Sequence, residues 1–233
     1  MTAYLEARDV TKRFGTMHAL KGVSLDVARG GSLVLLGPNG AGKSTFLGIL
    51  AGRIRPTGGT VSFEGALLRR SVEARRQTGY LSHSPFLYRG LTARENLMLY
   101  ADLYSVQRSG ARVDDLLRLM DLWERRHDRV GGFSRGMEQR LAIARSLLHD
   151  PGLLLLDEPF SGLDYRSNSV LMEILIDLRG RDRTMIISTH NLEVASSLGN
   201  DVAIIDRGVI RYRGAVVEDL RDLYMGLVGG GQR

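Results

Sequence analysis

Hydrophobic and polar positions follow two different periods along the chain, and the switches between them mark its elements. SLVLLG (32–37) is a short continuous apolar run closed by glycine, and LLLLDEP (153–159), TMIISTH (184–190) and DVAIIDRG (201–208) likewise read as strands. The unbroken apolar character of LLLLDEP and TMIISTH predicts parallel strands buried on both faces. Directly after the first run, KSTFLGILAG (43–52) sets Phe46, Leu47, Leu50 and Ala51 at helical spacing and stops at Gly52. TVSFEG (60–65) alternates as an edge strand does. With strands expected near 4–10 and 22–28, it predicts a small antiparallel layer.

The middle of the chain reads as helical. Thr92 followed by Glu95 forms a capping box, after which Leu97, Tyr100 and Tyr104 recur on one face. VDDLLRLMDLW (113–123) predicts a second helix. RGMEQRLAIARSLL (135–148) predicts a third, with Ser134 as its cap. The order strand, loop, helix, then a helical insert, then β-α-β-α-β predicts an α/β fold with a parallel-sheet core. The helical subdomain falls at about 86–148, all within one domain spanning 1–233, and GGGQR (229–233) reads as a flexible tail.

Composition narrows the class. The 233 residues suit one well-filled domain, and 43% hydrophobic with 25% charged residues is ordinary for a globular chain. The absence of cysteine excludes disulfides and thiolate metal sites. The first twenty residues hold no continuous apolar core and no run approaches the ~20 residues of a membrane span, so the expectation is a soluble cytoplasmic chain. The net charge is +6, carried mostly by arginine, since Lys12, Lys21 and Lys43 are the only lysines. The arginines are scattered with no accompanying aromatic stripe, so they read as solvated surface rather than a nucleic-acid site. A basic face beside anionic lipid head groups also fits that charge.

Candidate chemistry begins at GPNGAGKST (37–45), which matches G-x-x-x-x-G-K-[ST] between a predicted strand and a predicted helix. Gly37, Gly40 and Gly42 let backbone N–H groups turn onto phosphate oxygens, with Pro38, Asn39, Ala41 and Thr45 completing the loop. Lys43 reaches the β- and γ-phosphates, and Ser44 offers a hydroxyl to Mg²⁺. Asp157, at the end of a buried strand, suits water-mediated Mg²⁺ binding, and Glu158 suits orientation or deprotonation of an attacking water. Asp-Glu after a strand is by itself as often a solvated turn; the upstream phosphate loop gives the pair its meaning. The expected ligands are ATP and Mg²⁺.

FSRGMEQRLAIARSLLHDPGLLLLDEPFSGLD (133–164) resembles, in order and spacing, the signature helix, Walker B strand and D-loop of the ATP-binding-cassette (ABC) ATPases. The likeness extends over essentially the whole chain. It implies a P-loop NTPase core and a homodimer in which two subunits sandwich two ATP molecules. It also implies a transmembrane permease partner and a place on the cytoplasmic face of the membrane. Phe14 matches the aromatic residue that stacks on adenine. Ser134 and Gly136 match the signature residues that meet the γ-phosphate across the dimer, Asp164 the D-loop aspartate, and His190 the switch histidine. His18, His127 and His149 match no motif and read as surface residues; Trp123 reads as core or subdomain packing.

Two departures stand out. The usual L-S-G-G-Q is Phe133-Ser134-Arg135-Gly136-Met137, which keeps the serine and glycine. His83 occupies the Q-loop position, where the family has glutamine. Imidazole accepts a hydrogen bond from water, but Mg²⁺ prefers oxygen, so the expected role is sensing rather than metal binding. The run L-S-H-x-P-x-L-Y-x-x-L-T-x-x-E-N-L resembles the ATPase of the cytochrome c maturation haem exporter. Haem export is therefore the expected activity, with another small exporter, for a drug, antibiotic or lipid, as the alternative. A ribosome- or DNA-acting cassette would carry a second cassette or a coiled-coil insert, and a P-loop kinase or GTPase would leave the signature unexplained.

Overall fold

A hairpin of β1 (Leu5–Phe14) and β2 (Met17–Val27) opens the fold and turns at Gly15. β3 (Ser32–Leu36) leads through the glycine-rich loop into α1 (Lys43–Leu50). β4 (Gly58–Phe63), β5 (Ala66–Leu67), α2 (Val72–Arg76) and β6 (Thr78–Leu81) follow. Three helices come next: α3 (Ala93–Leu103), α4 (Ser109–Leu119) and α5 (Arg135–Leu147). Then β7 (Leu153–Asp157), α6 (Tyr165–Arg179), β8 (Thr184–Thr189), α7 (Leu192–Leu198) and β9 (Asp201–Asp206) alternate. β10 (Val209–Ala215) and α8 (Leu220–Val228) close the order. This computed structural model describes residues 3–68, 71–179 and 183–228, and the tail expected at 229–233 lies outside them.

The main sheet has the order β10-β9-β3-β8-β7-β6, parallel throughout except for the β9–β10 hairpin. Strand period two sorts its apolar residues onto two faces. Leu33, Leu35, Leu153, Leu155 and Ile186 pack with α1 and the antiparallel sheet β2-β1-β4-β5. Val34, Leu36, Leu154, Leu156, Met185 and Ile187 pack with residues of α3 to α8. The expected α/β class, with a parallel core, an antiparallel layer and inserted helices, is the one observed. Registers matter more for function. Leu36 lies beside Thr189 and Asp157 beside Ser188, so β3, β7 and β8 end on one edge and bring their succeeding loops together there.

The capping box is present, with Glu95 N–H on Thr92 Oγ1 and Thr92 N–H on Glu95 Oε2. The α4 prediction is displaced: the helix ends at Leu119 rather than running to Trp123. The chain breaks out at Asp121, whose φ is 52°, and Trp123 sits between the guanidinium groups of Arg118 and Arg126 at 3.9 and 4.1 Å. Trp123 opens a separate 3-10 turn, Trp123–Arg125, and packs half-buried against the core, as expected of a packing residue. The first two strands run longer than expected and place Phe14 at the hairpin tip. Among the described residues, no helix is long and apolar enough to cross a membrane.

His149 is another departure, because it is not a free surface residue. Its ring stacks on Tyr104 at 4.4 Å, its Nε2 lies 3.3 Å from the Thr78 carbonyl, and its buried Nδ1 has no hydrogen-bond partner. It therefore joins α3 and the end of α5 to the start of β6. Burial pushes its pKa below 6.5, against the opposing pull of Thr78 and Asp150. The folded chain thus resists a proton that the unfolded chain accepts. Stability from this group is complete above pH 6.5 and is lost as pH falls through the window below it, by at most ~1.4 kcal/mol per pH unit for one proton. Urea unfolding of His149→Gln, which keeps a donor toward Thr78, should show a shallower loss between pH 7 and 5 than the unaltered chain.

Candidate nucleotide site and its family

The shared sheet edge opens into a cleft of about 660 Å³. Pro38 to Thr45 form its floor, and His83, Glu158 and His190 stand along its wall. The loop can fold this tightly because Gly42 has φ 108° and a Cβ there would lie 2.7 Å from the Ala19 carbonyl oxygen. Any larger residue would push the loop off the β2 backbone. Beyond the loop, α1 directs its N-terminus at the cleft, an anion-favouring arrangement.

Two short chains of polar contacts organise the charges. In the first, Ser44 Oγ and Ser188 Oγ both donate to Asp157 Oδ1, at 3.0 and 2.6 Å. Asp157 is buried at the end of β7, so these hydroxyls replace the water it lost. In the second, Lys43 Nζ lies 3.0 Å from Glu158 Oε1, and His190 Nδ1 lies 3.0 Å from Glu158 Oε2. Lys43 also donates to the carbonyls of Gly37 and Pro38, at 2.7 and 3.1 Å. Glu158 has φ 48°, a left-handed conformation costly for a side-chain-bearing residue. Its N–H is held there by the Ser188 carbonyl at 3.2 Å and the Ser188 hydroxyl at 3.0 Å. Ser188 thus supports both carboxylates, a role invisible in the sequence, where it was only one letter in a strand.

The donor set suits the expected ligands. Ser44 and Asp157 present hard oxygens side by side, as Mg²⁺ requires, and few protein ligands suffice where phosphates supply the rest. No cluster of three or more His, Asp or Glu able to hold a metal occurs among the described residues.

Not every candidate meets in this cleft. Phe14, 45% exposed beneath Lys12, is not among the cleft residues. Ser134 caps α5 through Met137 N–H at 3.3 Å and is exposed on another surface. Gly136 is buried against Ser167, whose hydroxyl any Cβ would strike. Asp164 is exposed and accepts the Ser167 N–H at 2.8 Å at the start of α6. That bond holds its carboxyl below the usual range. The signature segment and the D-loop are therefore joined to each other, α5 to α6, and not to this chain's own phosphate loop. Conversely His18, read as surface, lines the cleft, as do Lys21, Ser161 and Arg207.

A family model described as ABC transporter matches residues 20–161, more than half of the chain. The chain belongs to the ABC transporter ATPases. It is 35% identical to the ABC transporter ATP-binding protein NatA of Bacillus subtilis, over 93% of this chain and 95% of that one. It is 34% identical to the linearmycin resistance ATP-binding protein LnrL of the same organism, covering 88% of this chain and 67% of the relative. It is 36% identical to the bacitracin transport ATP-binding protein BcrA of Bacillus licheniformis, over 89% and 68%. A solved dimeric cassette, bound to ADP and phosphate after hydrolysis, superposes with a TM-score of 0.83 at 27% identity, covering 91% of this chain and 99% of that one. As a member of this family the cassette binds ATP with Mg²⁺, hydrolyses it in support of transport, dimerises and pairs with transmembrane subunits.

Ser188→Ala removes one hydroxyl from each polar chain at once. Steady-state kinetics on this variant should show turnover reduced about tenfold or more, in proportion to one lost hydrogen bond to a charged group, and the melting temperature should fall by a few degrees because buried Asp157 loses a partner.

Proposed function

We propose that the cassette hydrolyses ATP at sites shared between two copies and drives export of a drug-like, antibiotic or lipid substrate through a separate transmembrane subunit. The hydrolytic part rests on one observation: Glu158 bonds His190 through Oε2 and faces Lys43 as an ion pair at Oε1, which has no hydrogen-bond partner, beside the Ser44–Asp157 pair. In this reading the loop 37–45 and Lys43 hold the phosphates, while Ser44 and Asp157 hold the metal. Bound MgATP supplies a transferable γ-phosphoryl group whose charge the metal neutralises. Glu158 orients or deprotonates water, His190 keeps that carboxylate aimed, and His83 senses occupancy from its own place on the wall. Phe14 stacks on the base. Residues 1–233 act as one cassette with its helical part at 86–148, set against the cytoplasmic face of the membrane.

The composite site is suggested by the separation of Ser134, Gly136 and Asp164 from this chain's own cleft. They can act on nucleotide only if a second copy supplies it, and the dimeric neighbour supports that arrangement. Relatives named for linearmycin resistance and bacitracin transport support a drug or antibiotic exporter over haem export. His83, which suggested haem, lines the same cleft as the phosphate loop, which supports a role toward nucleotide.

Glu158→Gln should bind MgATP normally, lose roughly 10²–10⁴-fold in hydrolysis and accumulate as a nucleotide-bound dimer on size exclusion. Near-native turnover would remove Glu158 from the chemistry. Mixing Lys43→Ala with Gly136→Asp, each inactive alone, should restore part of the activity, because each heterodimer rebuilds one intact interface. Absence of any recovery at concentrations where both proteins dimerise would exclude the shared site.

A further inference from the structure

A second hollow lies at the opposite end of α1 from the phosphate loop. It measures about 530 Å³ and is enclosed by the loop that follows α1, by β4 and β5, and by Arg75 of α2. It shares no residue with the nucleotide cleft, and none of its lining comes from the loop after β6, from α3 or from α5. Ile49, Ile54, Val61, Leu67 and Leu68 give it an apolar wall, and Arg53, Arg55 and Arg75 stand over that wall. No Asp or Glu lines the hollow, and no carboxylate pairs with these three guanidinium groups among the described residues.

The walls are fixed by contacts that owe nothing to an occupant. Arg53 N–H and Ile54 N–H both donate to the Gly48 carbonyl, at 2.9 and 3.0 Å. Ile54 lies so close on α1 that a Cβ at Gly48 would stand 2.7 Å from its Cδ1. Thr57 N–H donates to the Thr11 carbonyl and Lys12 Nζ to the Arg55 carbonyl, each at 2.8 Å. Half-buried Arg75 lays its stem against Gly52 and donates from Nη1 to the Leu68 carbonyl at 3.1 Å. Arg53 stands 5.1 Å from the Phe86 ring. Arg55 is exposed, and its side chain makes no hydrogen bond or ion pair among the described residues. A helix C-terminus ordinarily repels anions. Here the carbonyls of Leu47, Gly48 and Ile49 are already taken by the N–H groups of residues 51 to 54, so the arginines dominate the local field.

We propose that this hollow binds a phosphate monoester carrying an apolar chain. Charge selects the head group. A carboxylate would offer the three guanidinium groups two oxygens and one charge, whereas a phosphate monoester offers three oxygens and close to two charges. The aliphatic wall selects the chain, because inorganic phosphate would leave it wet and an uncharged lipid would leave the arginines unpaired. An enclosed apolar surface with a few convergent polar groups is the usual form of a small-ligand site. Such an ester can come from the membrane, as phosphatidic acid, or from solution, as a phosphorylated amphiphile. Either source gives the chain's positive charge a defined partner outside the nucleotide cleft.

The test is a calorimetric titration of the full chain with octyl phosphate, in excess MgADP to fill the nucleotide cleft. One saturable site per chain is expected, with inorganic phosphate weaker by about tenfold or more. Arg55→Glu should weaken octyl phosphate by about tenfold or more, because it reverses one charged partner. Arg211→Glu makes the same charge change on exposed β10 and should leave binding intact. Both variants should keep their melting temperature, since Arg55 has no side-chain bond to lose. Flotation with phosphatidylcholine vesicles, with and without about a fifth phosphatidic acid, separates the sources. Capture that needs phosphatidic acid and is lost in Arg55→Glu assigns the ester to the membrane; octyl phosphate binding without capture assigns it to solution. No saturable site for octyl phosphate, or equal losses in Arg55→Glu and Arg211→Glu, would overturn the proposal. Equal affinity for inorganic phosphate would overturn its apolar half. The measurement involves no turnover, so its failure leaves the hydrolytic reading standing.

Discussion

Parallel pairing of β3 with β8 and of β8 with β7 is the constraint on which the site depends. It aligns Leu36, Thr189 and Asp157 at one sheet edge. The phosphate loop, His190 and Glu158, which come directly after these strands, then have no choice but to converge. A shift of one residue in either register would reverse the faces of a whole strand and bury its polar end. The apolar side chains on both faces of the sheet make such a slip prohibitive. Hydrophobic burial, which is itself indifferent to function, thereby sets the geometry of the cleft.

Within that frame the polar contacts are economical. Ser188 bonds to Asp157 and to the Glu158 backbone, so one hydroxyl orients the first carboxylate and stabilises a left-handed backbone at the second. Lys43 faces one oxygen of Glu158 as an ion pair and His190 bonds the other. Each of these charged groups has a partner whose own position is set by a buried strand or by α1. The contrast with Arg145 is instructive. In the nucleotide cleft the charges face opposite charges, whereas Arg145, buried at the end of α5, is met by the Tyr80 carbonyl and by the rings of Tyr100 and Phe86.

The helical part links these two regions. Asn96 ties the loop after β6 to α3, and His149 with Tyr104 ties the end of α5 and α3 to β6. These contacts supplement the apolar core that α3, α4 and α5 share with one face of the sheet.

Much of the fold was legible in the sequence because its causes are local. Continuous apolar runs marked the parallel strands, Thr92 and Glu95 the start of α3, and the glycine and lysine spacing the phosphate loop. Lys43 and Ser44 could be picked out from the phosphate-loop motif, Asp157, Glu158 and His190 because they stand at or just beyond strand ends, and His83 because of its motif. What the letters could not carry is contact between distant segments. Trp123 looked like the end of α4 until the chain turned at Asp121, and His149 looked exposed until Tyr104 and Thr78 enclosed it. Ser188 became significant only when β8 lay beside β7. The aromatic surroundings of Arg145, with no carboxylate paired to it among the described residues, are likewise a property of the folded chain. Pattern determines which elements form, because hydrophobic period and capping act over a few residues; register and packing decide which charges meet, because those distances exist only after the chain has folded.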